Sequence, residues 1–287
     1  MALLPSGPDS SPIAQAFQDL EAVNAGWKVE VGSPEGPGWI AGPDLRDAQH
    51  GPFNDLLRRI GARDACDDKR TIAASFALRF GWASGMAIRP FLRSRCVPDV
   101  GLDNVSFKFT ASTFFERAAV RVARGAVAVP DARAGHPRVA SVGDAAALLR
   151  VLRHELVMQS EPVVEALHRW SGFARRGTWG LLTSSWASHF TSLSADPDDQ
   201  RAVRPLIDGL FAGNDLVAAM QPRLHEVTHG AATHLFQRRA SCCRYYLLPQ
   251  GELCASCPLV SDQDRLARNF VWMQTLARRQ GSSDGHG

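Results

Sequence analysis

The chain has 287 residues, 45% of them hydrophobic and 21% charged, and a net charge of +3. That length supports one large domain or two smaller ones around a substantial core, with the balance of an ordinary soluble globular protein. Lys and Arg are scattered in short pairs such as Arg58-Arg59 and Arg175-Arg176, so a nucleic-acid-binding surface is not expected. The N-terminus has neither a positive n-region nor a useful apolar run, and no window approaches ~18 uninterrupted apolar residues. No signal peptide and no transmembrane segment are therefore predicted, and the expected location is cytoplasmic.

Helical signals dominate. Ser11-Pro12 predicts a capped helix carrying Ile13, Phe17 and Leu20 at helical spacing. Trp27 to Gly38 is turn-rich, with room for one short strand. Phe53 to Ile60 predicts a short helix stopped by Gly61, and Thr71 to Phe91 a longer apolar helix loosened by Gly81 and Gly85. Val105, Phe107 and Phe109 alternate with polar residues, as in a strand. Val120/Val122 and Val127/Val129, around Ala123-Arg124-Gly125, predict a hairpin.

Helices then resume. Asp144 predicts a cap for a helix carrying Leu148, Leu149, Leu152 and Leu156, and Ser160-Glu161-Pro162 predicts the start of another. Thr178 to Phe190 is a third. Asp196-Pro197 and Asn214-Asp215 predict two more, kinked or divided by Pro205 and Pro222. A short helix over 231–239 is expected to lead into the cysteines. Ser261-Asp262-Gln263-Asp264 predicts a capped final helix ending near Arg279, with a disordered tail after it. The fold class is α+β, predominantly α-helical, with a central β-hairpin or small antiparallel sheet.

Four of the six cysteines lie within sixteen residues: Cys242, Cys243, Cys254 and Cys257. Cys-x-x-Cys turns two sulfurs toward one side of a tight loop. Leu247-Leu248 and Leu253, joined by Pro249-Gln250-Gly251, predict a small hairpin folding the second pair onto the first. Zinc favours spaced knuckles, whereas a 2Fe-2S cluster takes two thiolates on each iron. Spacing alone establishes a metal site and leaves cluster and structural zinc both open.

The arrangement Cys-Cys-x10-Cys-x-x-Cys-Pro, near the C-terminus of a mostly helical chain, resembles the FhuF family of ferric siderophore reductases. The resemblance is specific at Cys242, Cys243, Cys254 and Cys257 and extends to Tyr245, Tyr246, Gly251 and Pro258. Over residues 70 to 260 it is looser, resting on the order of elements. It implies a 2Fe-2S cluster ligated by those four cysteines, reduction of Fe(III) in a hydroxamate-type siderophore, and release of Fe(II) in the cytoplasm. The resulting division is a mainly helical body over 1–240 with a hairpin near 103–129, a cluster-binding segment over 241–260 and a closing helix over 261–280. No catalytic residues beyond the cluster ligands are required. The alternatives are a non-enzymatic protein with a structural four-cysteine zinc site and a 2Fe-2S redox sensor.

Arg238, Arg239 and Arg244 flank the cysteines and are candidates for balancing cluster charge or binding an anionic chelate. His225, His229 and His234 suit a polar helix face or caps, and His225 and His229, four apart, alternatively suit a second metal. Cys66 and Cys96 stand alone and read as buried or incidental thiols. Neither G-x-x-x-x-G-K nor G-x-G-x-x-G occurs. Electrons are therefore expected from an unidentified donor, a ferredoxin-like protein or a reductase, rather than from a nucleotide bound in a Rossmann motif.

Overall fold

The structure is a computed structural model and describes residues 11–23, 28–193, 197–230 and 232–283. Trp27, Asp196, Ala231 and the tail over 284–287 lie outside them. Helix α1 spans Pro12–Val23. As predicted, Ser11 caps it: its hydroxyl accepts from the Ile13 N–H at 3.2 Å and donates to the Ala123 carbonyl at 2.6 Å. Ile13, Phe17 and Leu20 are buried. Two short strands follow, β1 (Val29–Val31) and β2 (Trp39–Ala41).

Helix α2 spans Gly51–Asp64 and passes through Gly61, where the sequence predicts a stop. A Cβ at Gly61 would lie 2.8 Å from Ile72 Cδ1. The glycine permits close packing on the next helix, and the turn comes instead at Ala65, which is left-handed at φ 47°. The long apolar helix is divided into α3 (Lys69–Ala83) and α4 (Ile88–Ser94) by one 3-10 turn over 84–86. At that turn a Cβ on Gly85 would lie 1.9 Å from His189 Nε2.

Strands β3 (Cys96–Pro98), β4 (Val105–Phe109), β5 (Phe115–Val120), β6 (Gly125–Ala128) and β7 (Val139–Val142) come next. One sheet has the order β1-β5-β4-β2 and another β3-β6-β7. The central hairpin is β4–β5, with Val105 opposite Val120. The hairpin predicted across Ala123-Arg124-Gly125 does not form, because β5 and β6 belong to different sheets. Buried Asn104 intervenes. Its amide donates to the Asp99 and Val122 carbonyls and accepts from the Val122 N–H, all within 3.0 Å. These bonds take the backbone groups of Val122 that a continued strand would use.

Helix α5 is continuous over Ala145–Ser171, where the sequence predicts two helices. Asp144 caps it by accepting from the Ala147 N–H at 2.6 Å. The buried stripe of Leu148, Leu152 and Leu156 runs on past Pro162 to Val163, Val164 and Leu167. Packing along this uninterrupted face outweighs the backbone bond lost at the proline. Helices α6 (Arg175–Leu193) and α7 (Pro197–Leu210) follow. Helix α6 lies on α3: a Cβ at Gly81 would meet Ser185 Cβ at 2.8 Å, and Phe76, Phe80, Trp186 and Phe190 are fully buried.

The helices predicted from Asn214 and over 231–239 are instead a 3-10 turn over 218–220 and a hairpin of β8 (Arg223–His229) and β9 (Ala232–Arg238). Only Val227 and Leu235 of the hairpin are buried hydrophobics, so apolar alternation is weak and the period-2 signal is carried by half-buried histidines. Helix α8 spans Asp262–Ser283 and so continues past the predicted end near Arg279. Ser261 caps it by accepting from the Asp264 N–H at 3.1 Å. One hairpin face packs on α8: His225 Nε2 is 2.8 Å from Asn269 Nδ2, and Phe236 meets Trp272 edge-on with ring centroids 5.4 Å apart.

Candidate metal centre

Strand β9 delivers the chain to the cysteines. Its exit is pinned to the returning loop, because the Arg239 N–H donates to the Ser256 carbonyl at 2.9 Å. Arg244 takes a left-handed conformation at φ 60°, and its N–H reaches Cys242 Sγ at 3.3 Å. Tyr245–Leu247 then form one 3-10 turn. The predicted small hairpin around Pro249-Gln250-Gly251 is replaced by stacked turns, closed where the Gly251 N–H donates to the Leu248 carbonyl at 2.9 Å. Side-chain-free Gly251 is needed for that stacking, since a Cβ there would lie 1.8 Å from the Tyr245 carbonyl oxygen. The Cys-x-x-Cys turn closes through the Cys257 N–H and the Cys254 carbonyl at 3.0 Å.

The turns still bring the pairs together. Cys242, Cys243, Cys254 and Cys257 all line one cavity of about 520 Å³. All six cysteines of the chain are free thiols. Exposure is asymmetric: Cys257 is 3% exposed, Cys242 and Cys243 are half-buried, and Cys254 is exposed. Burial, together with neighbouring Cys243 and Cys257, pushes the Cys242 thiol up, against the pull of the Arg244 N–H and the Arg239 charge. Holding several thiolates here therefore calls for cationic compensation. Among the described residues, no three His, Cys, Asp or Glu side chains form a ligand group for a single metal ion.

The three flanking arginines divide. Arg239 donates from Nη2 to Cys254 Sγ. Arg244 instead reaches to the start of α3, with Nε 3.0 Å from Thr71 Oγ1 and Nη2 2.7 Å from Asp68 Oδ2. Arg238 donates to the Pro258 carbonyl at 2.9 Å and lies 3.7 Å from Asp262. Arg244 and Arg238 hold the segment and do not line the cavity.

Sequence reasoning missed three other arginines. Arg63 and Arg79 enter the cavity from the helical body, and their guanidinium carbons lie 5.2 and 5.0 Å from the Phe114 ring centre. Burial pushes Arg79 down to about 10, so it stays cationic at neutral pH. Its signal was available: it is a cation in the middle of an otherwise apolar helix. Arg265 is 2% exposed and donates to the Cys257 and Val260 carbonyls at 2.8 and 2.7 Å. It fixes the loop carrying Cys257. Nothing in its local sequence distinguishes it from neighbouring surface arginines.

The remaining candidates lie elsewhere. Cys96 is buried in β3, where burial pushes its thiol up to about 11. Cys66 is half-buried, with Sγ 3.8 Å from the Asp68 carbonyl. His225, His229 and His234 sit in the hairpin rather than on a helix face.

Four thiols line one cavity together with guanidinium groups, and four thiolates are the donor type an iron–sulfur cluster takes. Residues 239–259 match the family model for the FhuF 2Fe-2S C-terminal domain. The match contains all four cysteines, supports the FhuF resemblance and indicates a 2Fe-2S cluster, rather than zinc, as the cofactor. Among curated proteins nothing matches the chain. No helix among the described residues is long and apolar enough to cross a membrane.

Proposed function

We propose that Cys242, Cys243, Cys254 and Cys257 hold the 2Fe-2S cluster and that the protein is a cytoplasmic ferric-siderophore reductase. In this reading one electron arrives from a ferredoxin-like protein or reductase and passes to Fe(III) chelated by a hydroxamate-type siderophore. The metal then leaves as Fe(II), which hard oxygen ligands hold far less tightly than Fe(III). The cluster supplies a one-electron carrier when bound.

The protein's own part is to hold, balance and expose. Arg265 and the Cys-x-x-Cys turn anchor buried Cys257. Arg239 donates to the sulfur of Cys254, and Arg79 adds positive charge to the same cavity, where Arg63 is paired with Asp64 and Glu252 also lines the wall. Hydrogen bonds and cations at thiolate sulfur raise a reduction potential. Exposed Cys254 gives the centre an edge within reach of a bulky chelate. The observation carrying this reading is the FhuF 2Fe-2S match coinciding with four thiols on one cavity.

The test is anaerobic reconstitution with iron and sulfide, followed by trapping of Fe(II) from a ferric trihydroxamate. Wild-type protein is expected to be red-brown, to bleach on dithionite and to release Fe(II). Cys254→Ser is expected to lose both the colour and the activity. Colourless protein carrying one zinc, or undiminished reduction by Cys254→Ser, would overturn the proposal.

A further inference from the structure

The cysteine cavity is not the only space that reaches the candidate centre. On the α8 side lies a second cavity of about 660 Å³. Cys254 lines both cavities, and the other three cysteines line only the first. The first is thus lined by all four thiols, and the second presents only the outermost one.

We propose that the second cavity is the docking site for the ferric chelate and selects bulky, oxygen-rich chelates that are neutral or weakly anionic; this rests on the reductase reading above. Its volume lies within the few-hundred to about 1,000 Å³ range of small-molecule sites. Phe236 and Trp272 make an aromatic wall already in place, their rings 5.4 Å apart and Trp272 43% exposed. Ser192 brings a hydroxyl to the same cavity, whereas the Ser188 and Thr191 hydroxyls there already donate to the Ser184 and Ser188 carbonyls. These suit the methylene chains and polar oxygens of a trihydroxamate.

Charge selects further. Arg268 is the lone arginine or lysine of the lining, which contains no carboxylate, and its guanidinium is held by the Leu253 carbonyl. His234 is pushed down by burial and adds no charge at neutral pH. Such a site disfavours hydrated ferric ion and accepts a metal whose charge its ligands have already cancelled. The cavity around Arg58, Lys69 and Arg169 is a poorer candidate, since it gathers three cations and reaches no cysteine.

The experiment uses cluster-loaded full-length protein and the gallium(III) complex of a linear trihydroxamate. Gallium matches ferric ion in charge and size but takes no electron under these conditions, so binding is read by calorimetry apart from chemistry. Trp272→Ala, at an exposed position, is expected to weaken gallium-complex binding on the order of tenfold. It should also raise KM for the ferric complex by a similar factor, with the cluster spectrum unchanged. Phe114→Ala is the opposing variant in the cysteine cavity. If Phe114→Ala weakens gallium binding and Trp272→Ala does not, the docking site is overturned. The docking site also falls, while the reductase reading stands, if Trp272→Ala reduces ferric chelate with unchanged KM. Tight gallium binding that Trp272→Ala weakens, in a protein that never reduces the ferric complex, would uphold the cavity and overturn the reductase reading.

Discussion

The contact of α6 with the 3-10 turn after α3 and the loop that carries the cysteines both close over a glycine, yet different forces hold them. In the body, Gly85 lies under the His189 ring, which stacks on Trp82 with centroids 4.0 Å apart, and fully buried Phe76, Phe80, Trp186 and Phe190 surround the contact. In the cysteine loop, Gly251 lies under the Tyr245 carbonyl, while Tyr245, Tyr246 and Leu247 stay exposed. Apolar burial closes most of the first region, with the His189 ring donating to the Trp82 carbonyl at 2.9 Å. Arginine bonds to carbonyl and carboxylate oxygens tie the second, through Arg238, Arg244 and Arg265. Such a division predicts a body that folds without the cluster and a loop shaped by a few directional bonds. Global stability and cluster retention should therefore separate under mutation.

Gly85→Ala should break the body most severely. A Cβ would lie 1.9 Å from a buried imidazole, and overpacking of this kind costs about 3 kcal/mol. A fall of several degrees in Tm of the apoprotein is expected; an unchanged Tm would mean that the contact is not tight. Gly251→Ala tests the other side. Its Cβ meets backbone at 1.8 Å, and the expected cost is about 2 kcal/mol, confined to the loop. Reconstituted cluster absorption should be lost while apoprotein Tm holds. A large drop in Tm here would show that the loop belongs to the cooperative core.

Arg265→Met should have a smaller effect. It leaves the Cys257 and Val260 carbonyls without their guanidinium donor, at a cost of about 1–2 kcal/mol. The readout is faster cluster loss to a chelator. Arg244→Ala should be smallest, under about 1 kcal/mol, because the Arg244 and Asp68 side chains are 32% and 44% exposed. This difference carries a pH signature. The Thr71 hydroxyl first, and Arg244 after it, hold the Asp68 carboxyl below its ordinary 3.8. A lowered carboxylate stabilises the fold above its unfolded value and loses that contribution as pH falls through the folded one. In urea titrations, the gap between wild type and Arg244→Ala should be fullest near pH 6 and close toward zero below 3.8. A gap that widens with acid would have the wrong sign for this pair.

Where a local pattern and the tertiary environment agree, the chain could be read directly. Ser11, Asp144 and Ser261 cap helices as their positions predict. Val105, Phe107 and Phe109 alternate and form a strand with that face buried. The misreadings share one cause, a local breaker or weak pattern overruled by packing. Pro162 sits inside α5 because the buried stripe continues across it. Gly61 continues α2 because Ile72 comes close. The β8–β9 hairpin was hidden because its inward positions are histidines as well as aliphatics.

By itself the sequence determined that four thiols, at 242, 243, 254 and 257, fall within sixteen residues, a clustering with little chemical use except around metal. Tertiary structure alone decided their surroundings. It buried Cys257 and exposed Cys254, brought Arg63 and Arg79 in from more than 160 residues away, turned Arg244 outward to Asp68, and opened a second cavity on Cys254. The physical reason is range. Ligand identity and tight turns are local properties of a few adjacent residues, whereas solvent access and electrostatic balance at a sulfur are sums over whatever the fold places beside it.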